Sequence, residues 1–198
     1  MSAEAFFDAA RALKRERIGN ASAGLLQDEV DALNAIINAW EPPPAPSDLP
    51  DDYWPMLAQI ESTNRPFVKA RSSSASGLYQ FIKSTWLAEG GQWGGNPSLA
   101  FGGLTPAPDE QLRRAKSFTQ KNADYLRRKG IPINRASLYA AHFFGPVTAA
   151  KVIGADVNAR ADILAGPAAT NANPSILRGK TVGQFLTWLH GKTGEWAR

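Results

Sequence analysis

The stretch PDEQLRRAKSFTQKNADYLRRKG, residues 108–130, sets the class of the fold. Its small and apolar residues recur every three or four positions, which is the spacing of one face of an α-helix. Pro108 suits the first turn of a helix because it lacks an N–H that would need an acceptor, and Gly130 suits the stop. The stretch therefore predicts the longest helix of the chain. The residues on its predicted inner face are Leu112, Ala115, Thr119, Ala123 and Leu126.

Similar spacing on both sides of this stretch predicts further helices. The pattern of residues 3–40 predicts a helical hairpin, and that of residues 90–108 is compatible with a short β-hairpin. Strand signals are otherwise weak, because no alternating run is bounded by a tight turn. The sequence predicts a mostly α fold, with Asn134 and Thr181 as N-caps. The other predicted helices run around Trp54–Ile60, from Leu78 to Leu87, from Asn134 to Gly145, from Val147 to Ile153 and from Thr181 to Leu189.

A proline-rich stretch divides the chain. Its sequence PPPAP, at the start of residues 42–50, cannot lie inside a helix and is typical of a stiff, extended linker. We therefore expect an N-terminal helical hairpin over residues 1–41 and a main domain over residues 51–198. The net charge is +4, and the excess of bases follows the linker. A basic main domain favours polyanionic partners, namely nucleic acid, acidic membrane or cell-wall polymer, without choosing among them.

The amino-acid composition excludes some kinds of metal and cofactor site. The chain has no cysteine and two histidines, so disulfides and thiolate metal sites are excluded and we expect neither a metal nor a cofactor. No segment approaches the roughly 18 apolar residues that span a bilayer. The first residues carry acids where a signal peptide carries bases, so the sequence predicts no export signal of its own.

Glu61 is the candidate catalytic group. It follows Trp54, Leu57 and Ala58 at helical spacing, so its carboxylate lies on an apolar stripe near the end of a helix. Burial disfavours the charged form and raises the pKa, which a general acid needs at neutral pH. The alternative from spacing alone is a structural ion pair with one of the bases that follow, Arg65 or Lys69.

The residues after Glu61 carry a family resemblance. Glu61-Ser62, then Gly77-Leu78-Tyr79-Gln80-Phe81 and Ser84-Thr85-Trp86, resemble the SLT-type lytic transglycosylases, which are relatives of goose-type lysozyme. In that family a Glu-Ser pair ends one helix, a serine-containing loop follows, and a Gly-Leu-aromatic-Gln string opens the next helix. The resemblance covers roughly residues 50–190 and implies a lysozyme-like helical domain.

A third family element, Ala-Tyr-Asn-x-Gly, has a partial counterpart. When the chain is aligned on Gly145-Pro146, His142 takes the place of the family's tyrosine and Phe143 that of its asparagine. Tyr139 lies one turn earlier on the same helix and could supply the hydroxyl instead. Which of Tyr139 and His142 contacts Glu61 stays open, as does the alternative that both are ordinary core residues.

The resemblance implies a mechanism with one carboxyl. Glu61 donates a proton to the bond between N-acetylmuramic acid and N-acetylglucosamine, and then accepts the proton of the muramyl C6 hydroxyl as a 1,6-anhydro ring closes. Ser74, or alternatively Ser72 or Ser73, is expected to hydrogen-bond Glu61, and Gln80 to bind the sugar. The aromatic candidates for stacking on sugars each have core packing as the alternative. The predicted substrate-binding residues are Ser62, Ser74, Tyr79, Gln80, Phe81, Tyr139, His142 and Phe143.

The expected function is therefore peptidoglycan lytic transglycosylase, in a phage endolysin that causes host cell lysis. We expect a monomer that is made in the host cytoplasm, acts on peptidoglycan in the periplasm or cell wall, and inserts into no membrane. The alternatives are a hydrolytic muramidase on the same fold and a non-catalytic wall-binding virion protein. A nucleic-acid binder fits less well, because the basic runs at Arg113-Arg114 and Arg127-Arg128 accompany no recognition motif and are typical of a solvated helix face.

Overall fold

The structure is a computed structural model and describes residues 3–20, 22–40 and 49–198. This part of the chain is mostly α-helical, as the sequence predicted, with ten α-helices and no strand. None of its helices has both the length and the hydropathy to cross a membrane. The helices are α1 (Ala3–Ile18), α2 (Gln27–Trp40), α3 (Tyr53–Ser62), α4 (Lys83–Ala88), α5 (Pro108–Arg128), α6 (Arg135–Phe144), α7 (Pro146–Ile153), α8 (Ala161–Ala172), α9 (Pro174–Leu177) and α10 (Val182–Thr193), with a 3-10 turn at Ala100–Gly103.

Both predicted N-caps are confirmed. The Asn134 side chain accepts a hydrogen bond from Ser137 N–H at 2.9 Å, and the Thr181 hydroxyl accepts one from Gln184 N–H at 3.2 Å. In each case the capping partner's side chain bonds back to the cap's own N–H. Two of the orphan N–H groups at each helix end are thereby satisfied. The longest predicted helix is confirmed as α5.

The predicted helix from Leu78 to Leu87 is wrong in its first half. Residues 77–80 form a tight turn, which is closed by two backbone hydrogen bonds between Ser76 and Phe81, at 3.0 and 3.1 Å. Gly77 has φ +79° and Gln80 has φ +47°, and neither angle is compatible with a right-handed helix. Regular helix begins only at Lys83.

Two other regions differ from the prediction. Helices α8 and α9 were not predicted. In α8, Gly166-Pro167 interrupts the helical pattern, and Gly166 leaves helical geometry at φ 84°. In residues 90–108 no strand forms, although Gly94 N–H donates to Phe101 O at 2.9 Å and Asn96 N–H donates to Gly102 O at 2.9 Å. The chain therefore reverses direction there without forming the repeated backbone hydrogen bonds of a β-hairpin.

The chain divides into two compact units. The first comprises Met1–Ser47 and Glu61–Ala115, and the second comprises Asp48–Ile60 and Lys116–Arg198. Residues 41–48, which include most of the predicted linker, lie outside the described residues. The division of the chain at residues 42–50 therefore stays a prediction.

In the first unit, α1 and α2 form the predicted helical hairpin. Phe7 and Val30 are buried between them, and an ion pair joins Lys14 to Glu29. This lysine, together with the Leu26 N–H, lowers the pKa of the Glu29 carboxyl. Polar contacts tie the hairpin to the rest of the unit: Asn34 Nδ2 donates to Glu110 Oε2 at 2.8 Å, and Thr105 N–H donates to Gln27 Oε1 at 2.7 Å.

The inner face of α5 in this unit is polar. Glu110 and Arg114 are 3% and 1% exposed and form an ion pair at 2.7 Å, and the Arg114 guanidinium also donates to Glu89 O. The same guanidinium lies 5.2 Å from the centre of the Trp86 ring. The prediction that the basic run at Arg113-Arg114 forms a solvated face is therefore wrong for Arg114. Its charge is neutralised inside the unit, where a buried cation needs a partner.

In the second unit, α6 is the buried helix. Residues 136–141 are all buried, and α6 packs against α7 and α10. The C-terminal tail folds back on the same unit, because Asn134 Nδ2 donates to Trp196 O at 3.0 Å and Arg198 donates to Ile153 O at 2.7 Å. The tail thus closes the end of the unit at which α6 begins.

A short pairing of loops organises the other side of this unit. Ala161 N–H donates to Lys180 O and Val182 N–H donates to Ala159 O, both at 2.9 Å. The Asp162 carboxylate pairs with Arg160 at 2.6 Å and accepts Gly179 N–H at 2.8 Å. The Arg160 guanidinium and then the Gly179 N–H hold the pKa of Asp162 well below its usual range. These contacts fix the loop that leads into α10.

We predict that Arg114→Ala lowers the free energy of unfolding by about 3 kcal/mol, because it leaves the Glu110 carboxylate buried without its cation. Urea unfolding at neutral pH measures the change. Arg127→Ala is the matched control, since Arg127 pairs with Asp124 on the same helix at 2.9 Å with the carboxylate 49% exposed. This exposed pair should contribute less than about 1 kcal/mol. Equal losses in the two variants would contradict the prediction.

We also predict a pH-dependent effect of Asp162→Asn. The folded pKa of Asp162 lies below the ordinary value of 3.8, so the folded state binds fewer protons than the unfolded state. The carboxylate's contribution to stability is therefore complete above about pH 5 and declines as the pH falls through the folded pKa. The wild type should be more stable than the variant at neutral pH, and the gap should narrow in acid. Urea unfolding across this range measures it, and a gap independent of pH would contradict the prediction.

Candidate active site

Glu61 is the penultimate residue of α3, where the sequence placed it. Its side chain is half-buried, and the preceding turns of the helix are anchored by Leu57 and Ala58, which are buried. Ser62, the last residue of the helix, is 2% exposed. The helix therefore places the Glu61 carboxyl where the buried core meets the surface. Ser62 is itself part of the buried core.

The backbone is strained two and three residues after Glu61. Thr63 and Asn64 both have left-handed backbone angles, with φ of 54° and 57°. A β-branched threonine in that region is a genuine outlier, and each such residue costs on the order of 1–3 kcal/mol. Strain of this kind persists where the surroundings impose it, and it clusters at functional sites. The end of α3 therefore combines strained backbone with the candidate carboxyl of Glu61.

The two bases that the sequence offered as ionic partners of Glu61 make backbone contacts. Arg65 Nε–H donates to Ser62 O at 2.9 Å. Lys69 Nζ donates to Ala70 O at 3.1 Å and to Ser73 O at 2.9 Å. Both cations therefore stabilise the turns that follow α3.

The serine-rich loop at residues 72–76, between α3 and α4, is held by hydrogen bonds of its serine side chains. Ser76 is fully buried, and its hydroxyl donates to Ser74 O at 2.9 Å and accepts Phe101 N–H at 3.1 Å. The Ser74 hydroxyl accepts Lys83 N–H at 3.0 Å, and the Ser73 hydroxyl accepts Ala75 N–H at 3.2 Å. These bonds fix the loop between α3 and α4, and the contact of Ser74 with Glu61 stays a prediction.

Three predicted sugar contacts lie in the turn after this loop. Tyr79 and Phe81 are 5% and 3% exposed, and the Phe81 ring lies 5.7 Å from that of Trp86. Burial raises the pKa of the Tyr79 hydroxyl, which stays a neutral donor at physiological pH. The Gln80 amide nitrogen donates to Gly77 O at 2.9 Å and to Val68 O at 3.3 Å, so a sugar contact by Gln80 is left to its Oε1. Both aromatic rings are therefore part of the packed interior of the unit.

Gln111 is a site-forming residue that the sequence analysis missed. It is 1% exposed, its Oε1 accepts Leu78 N–H at 2.8 Å, and its Nε2 donates to Pro66 O at 3.0 Å and Pro106 O at 2.9 Å. One carboxamide thus holds three loops around the turn. A signal existed, because Gln111 precedes Ala115 by four positions and so lies on the inner face of the predicted helix.

The second unit holds the remaining candidates, all on α6. Tyr139 is 4% exposed, and its ring is nearly parallel to that of His142 at 6.4 Å. Phe143 lies 5.3 Å from Trp188, and Tyr139 lies 6.1 Å from the same indole. The structure therefore brings Tyr139, His142 and Phe143 together with Trp188, a residue that the sequence analysis did not single out.

No protein-family model matches the chain. The described residues also contain no group of three or more histidine, cysteine, aspartate or glutamate side chains placed to hold a metal ion. Glu110 is the one buried carboxylate among the described residues. Its ion pair with Arg114 accounts for that burial.

We predict that Gly77→Ala disrupts the turn. A Cβ at this position would lie 2.4 Å from both Gln111 Oε1 and Phe101 Cζ, and the residue has φ +79°. Overpacking and backbone strain together should cost about 2–4 kcal/mol. Thermal and urea unfolding measure this loss.

Gly130→Ala is the matched control for Gly77→Ala. Gly130 has φ +70°, but a methyl group added there would meet nothing within 4 Å. The variant should therefore show the backbone cost alone, about 1–2 kcal/mol. If both variants lose the same stability, the close approach of Gln111 and Phe101 to Gly77 does not matter.

Proposed function

We propose that this protein is a peptidoglycan lytic transglycosylase in which Glu61 is the catalytic acid and base. One observation carries the proposal: Glu61, the penultimate residue of α3, is half-buried, and only Ser62 separates it from two left-handed non-glycine residues. Further support comes from the turn at residues 77–81, which has the motif of the resemblance and is held by a buried amide. Strain next to a carboxyl and a braced loop after it are what a preorganised acid requires.

The proposed reaction uses one carboxyl twice. Glu61, protonated, donates its proton to the glycosidic oxygen as the bond from muramyl C1 to that oxygen breaks. The muramyl C6 hydroxyl attacks C1, and the Glu61 carboxylate accepts the hydroxyl proton. The 1,6-anhydro ring is complete, the glutamic acid is regenerated and no water is consumed. Proton transfer of this kind contributes about 10²–10⁴-fold to a rate.

One candidate for the second carboxylate of a hydrolytic route, Glu110, is engaged elsewhere. Hydrolytic glycosidases place a second carboxylate at a defined separation from the first. The buried carboxylate of the first unit, Glu110, is neutralised by Arg114 and accepts a hydrogen bond from Asn34. It is therefore committed to packing and is not placed to activate water.

The biological setting follows from the same proposal. Peptidoglycan glycan strands are the proposed partner, and the basic main domain suits the anionic surface of a bacterial wall. We propose action on the wall at the end of a phage infection, by a monomer that requires neither nucleic acid nor membrane insertion.

Glu61→Gln tests the catalytic assignment. It removes the proton donor while keeping the size of the side chain, so lysis of outer-membrane-permeabilised cells should fall by about 10²-fold or more. Sedimentation with purified sacculi should show unchanged binding. Glu16→Gln, the same change at an exposed position of α1, is the control and should lyse normally. Undiminished lysis by Glu61→Gln would end the assignment.

The mass of the products tests the reaction type. Mass spectrometry of the muropeptides released from purified sacculi should show muramyl ends that are one water lighter than those of a hydrolysis product. Hydrated ends would instead establish a muramidase on the same fold. Binding without release of fragments would establish a wall-binding protein.

A further inference from the structure

A surface cleft of about 350 Å³ lies between α9 and α10 in the second unit. It is within the size range of small-molecule sites, at the lower end, and so suits one sugar residue with its substituents. None of its lining residues belongs to the motifs that the sequence analysis used. They are Ser175, Ile176, Lys180, Gln184, Thr187 and Trp188.

Trp188 provides the apolar face of the cleft. Its indole is half-buried and contacts three other rings, with centroid separations of 6.1 Å to Tyr139, 5.3 Å to Phe143 and 5.5 Å to Phe185. These contacts fix the orientation of the ring before any ligand arrives. The electron-rich face of an aromatic ring attracts the polarised C–H groups of a pyranose, so a fixed indole in a cleft is a platform for a sugar.

The polar residues of the cleft provide hydrogen bonds for the rim of a sugar. Gln184 Oε1 accepts Thr181 N–H at 3.0 Å, so the amide nitrogen is the part of that side chain that the helix cap does not use. The Thr187 hydroxyl donates to Gly183 O at 2.9 Å and keeps its acceptor lone pairs. A donor and an acceptor one turn apart on α10 match the hydroxyl and acetamido groups of an amino sugar.

Lys180 adds a positive charge that a neutral sugar would not need. It is exposed, and its backbone is held at both ends: Lys180 N–H donates to Leu177 O and Lys180 O accepts Ala161 N–H, both at 2.9 Å. The adjoining Gly179 N–H is fixed by Asp162. The lysine therefore extends from a rigid loop, and an ammonium group at such a position selects a carboxylate.

We propose that this cleft binds a pyranose that carries a carboxylate, with the ring on Trp188 and the carboxylate at Lys180. In peptidoglycan this chemistry belongs to the muramyl residue, whose lactyl group ends in a carboxylate or in an acidic peptide. The inference rests on the proposed function for the identity of the polymer. It adds a subsite that distinguishes muramyl from glucosaminyl residues, and it joins that subsite to Tyr139 and Phe143 through one aromatic cluster.

Calorimetric titration of the full chain carrying Glu61→Gln tests this subsite, with two probes of equal length. One is a tetrasaccharide of alternating N-acetylglucosamine and N-acetylmuramic acid, and the other is the neutral chitotetraose. Lys180→Met should weaken binding of the muramyl probe about 5- to 10-fold and leave chitotetraose binding unchanged. Lys192→Met, an exposed lysine of α10 outside the cleft, should change neither affinity.

Trp188 is tested in the same assay. Trp188→Ala should weaken the binding of both probes about 10-fold, whereas Trp188→Phe keeps an aromatic face and should stay within about 3-fold of the parent. Because Trp188 packs against other rings, the phenylalanine variant and Lys180→Met keep the test valid even if the alanine variant does not fold. Trp196→Ala, a change at an exposed tryptophan stacked on His190, is the control.

The outcomes separate this inference from the proposed function. Equal effects of Lys180→Met on the two probes, or no effect on either, would overturn the subsite. A charge-selective effect without any cleavage of sacculi by the wild-type chain would uphold the subsite and overturn the proposed catalysis. Cleavage with the expected anhydro products but without charge selectivity at Lys180 would do the reverse.

Discussion

The buried carboxamide of Gln111 makes hydrogen bonds to three separate segments of the first unit. It accepts from Leu78 N–H, and it donates to Pro66 O and Pro106 O. Each bond contributes about 0.5–1.5 kcal/mol, but loss of the amide would leave several buried backbone groups without partners, at about 1–3 kcal/mol each. The loops after α3, before α4 and before α5 therefore share one side chain, and their relative positions depend on it.

Strained backbone is concentrated in the same unit. Thr63, Asn64, Gln80 and Phe101 are the non-glycine residues with positive φ in the described chain, and all four lie in the first unit. The Phe101 ring packs against the position of Gly77, and the Phe101 N–H is held by the buried Ser76 hydroxyl. The strain at Gln80 and Phe101 is thus offset by contacts that converge on residues 76–81. A loop held in this way is preorganised, as the proposed catalytic function requires.

The sequence predicted the parts of the fold that local chemistry controls. Helix α5 follows from its periodicity, and the caps at Asn134 and Thr181 follow from side chains that bond to their own backbone. The turn at residues 77–81 could not be predicted in this way, because Leu78, Tyr79 and Phe81 have helical spacing and the deciding contacts come from Gln111 and Phe101, which are distant in the sequence. Arg114 was misassigned for a related reason, since a basic residue on a helix is expected to be exposed unless its buried partner is known.

The candidate site shows the same division between local motif and tertiary contact. Motif and spacing placed Glu61 correctly at the end of its helix, and they placed Tyr139, His142 and Phe143 on one helix. Neither motif nor spacing could show that α10 brings Trp188 against that helix, or that Asp162 braces the loop that carries Lys180. The proposed function requires that a glycan strand be held as well as cleaved, and a single acid does not supply that hold. In the proposed subsite, the aromatic platform of Trp188 and the cation of Lys180 are the groups whose binding energy would supply that hold, because neither takes part in the proposed proton transfer.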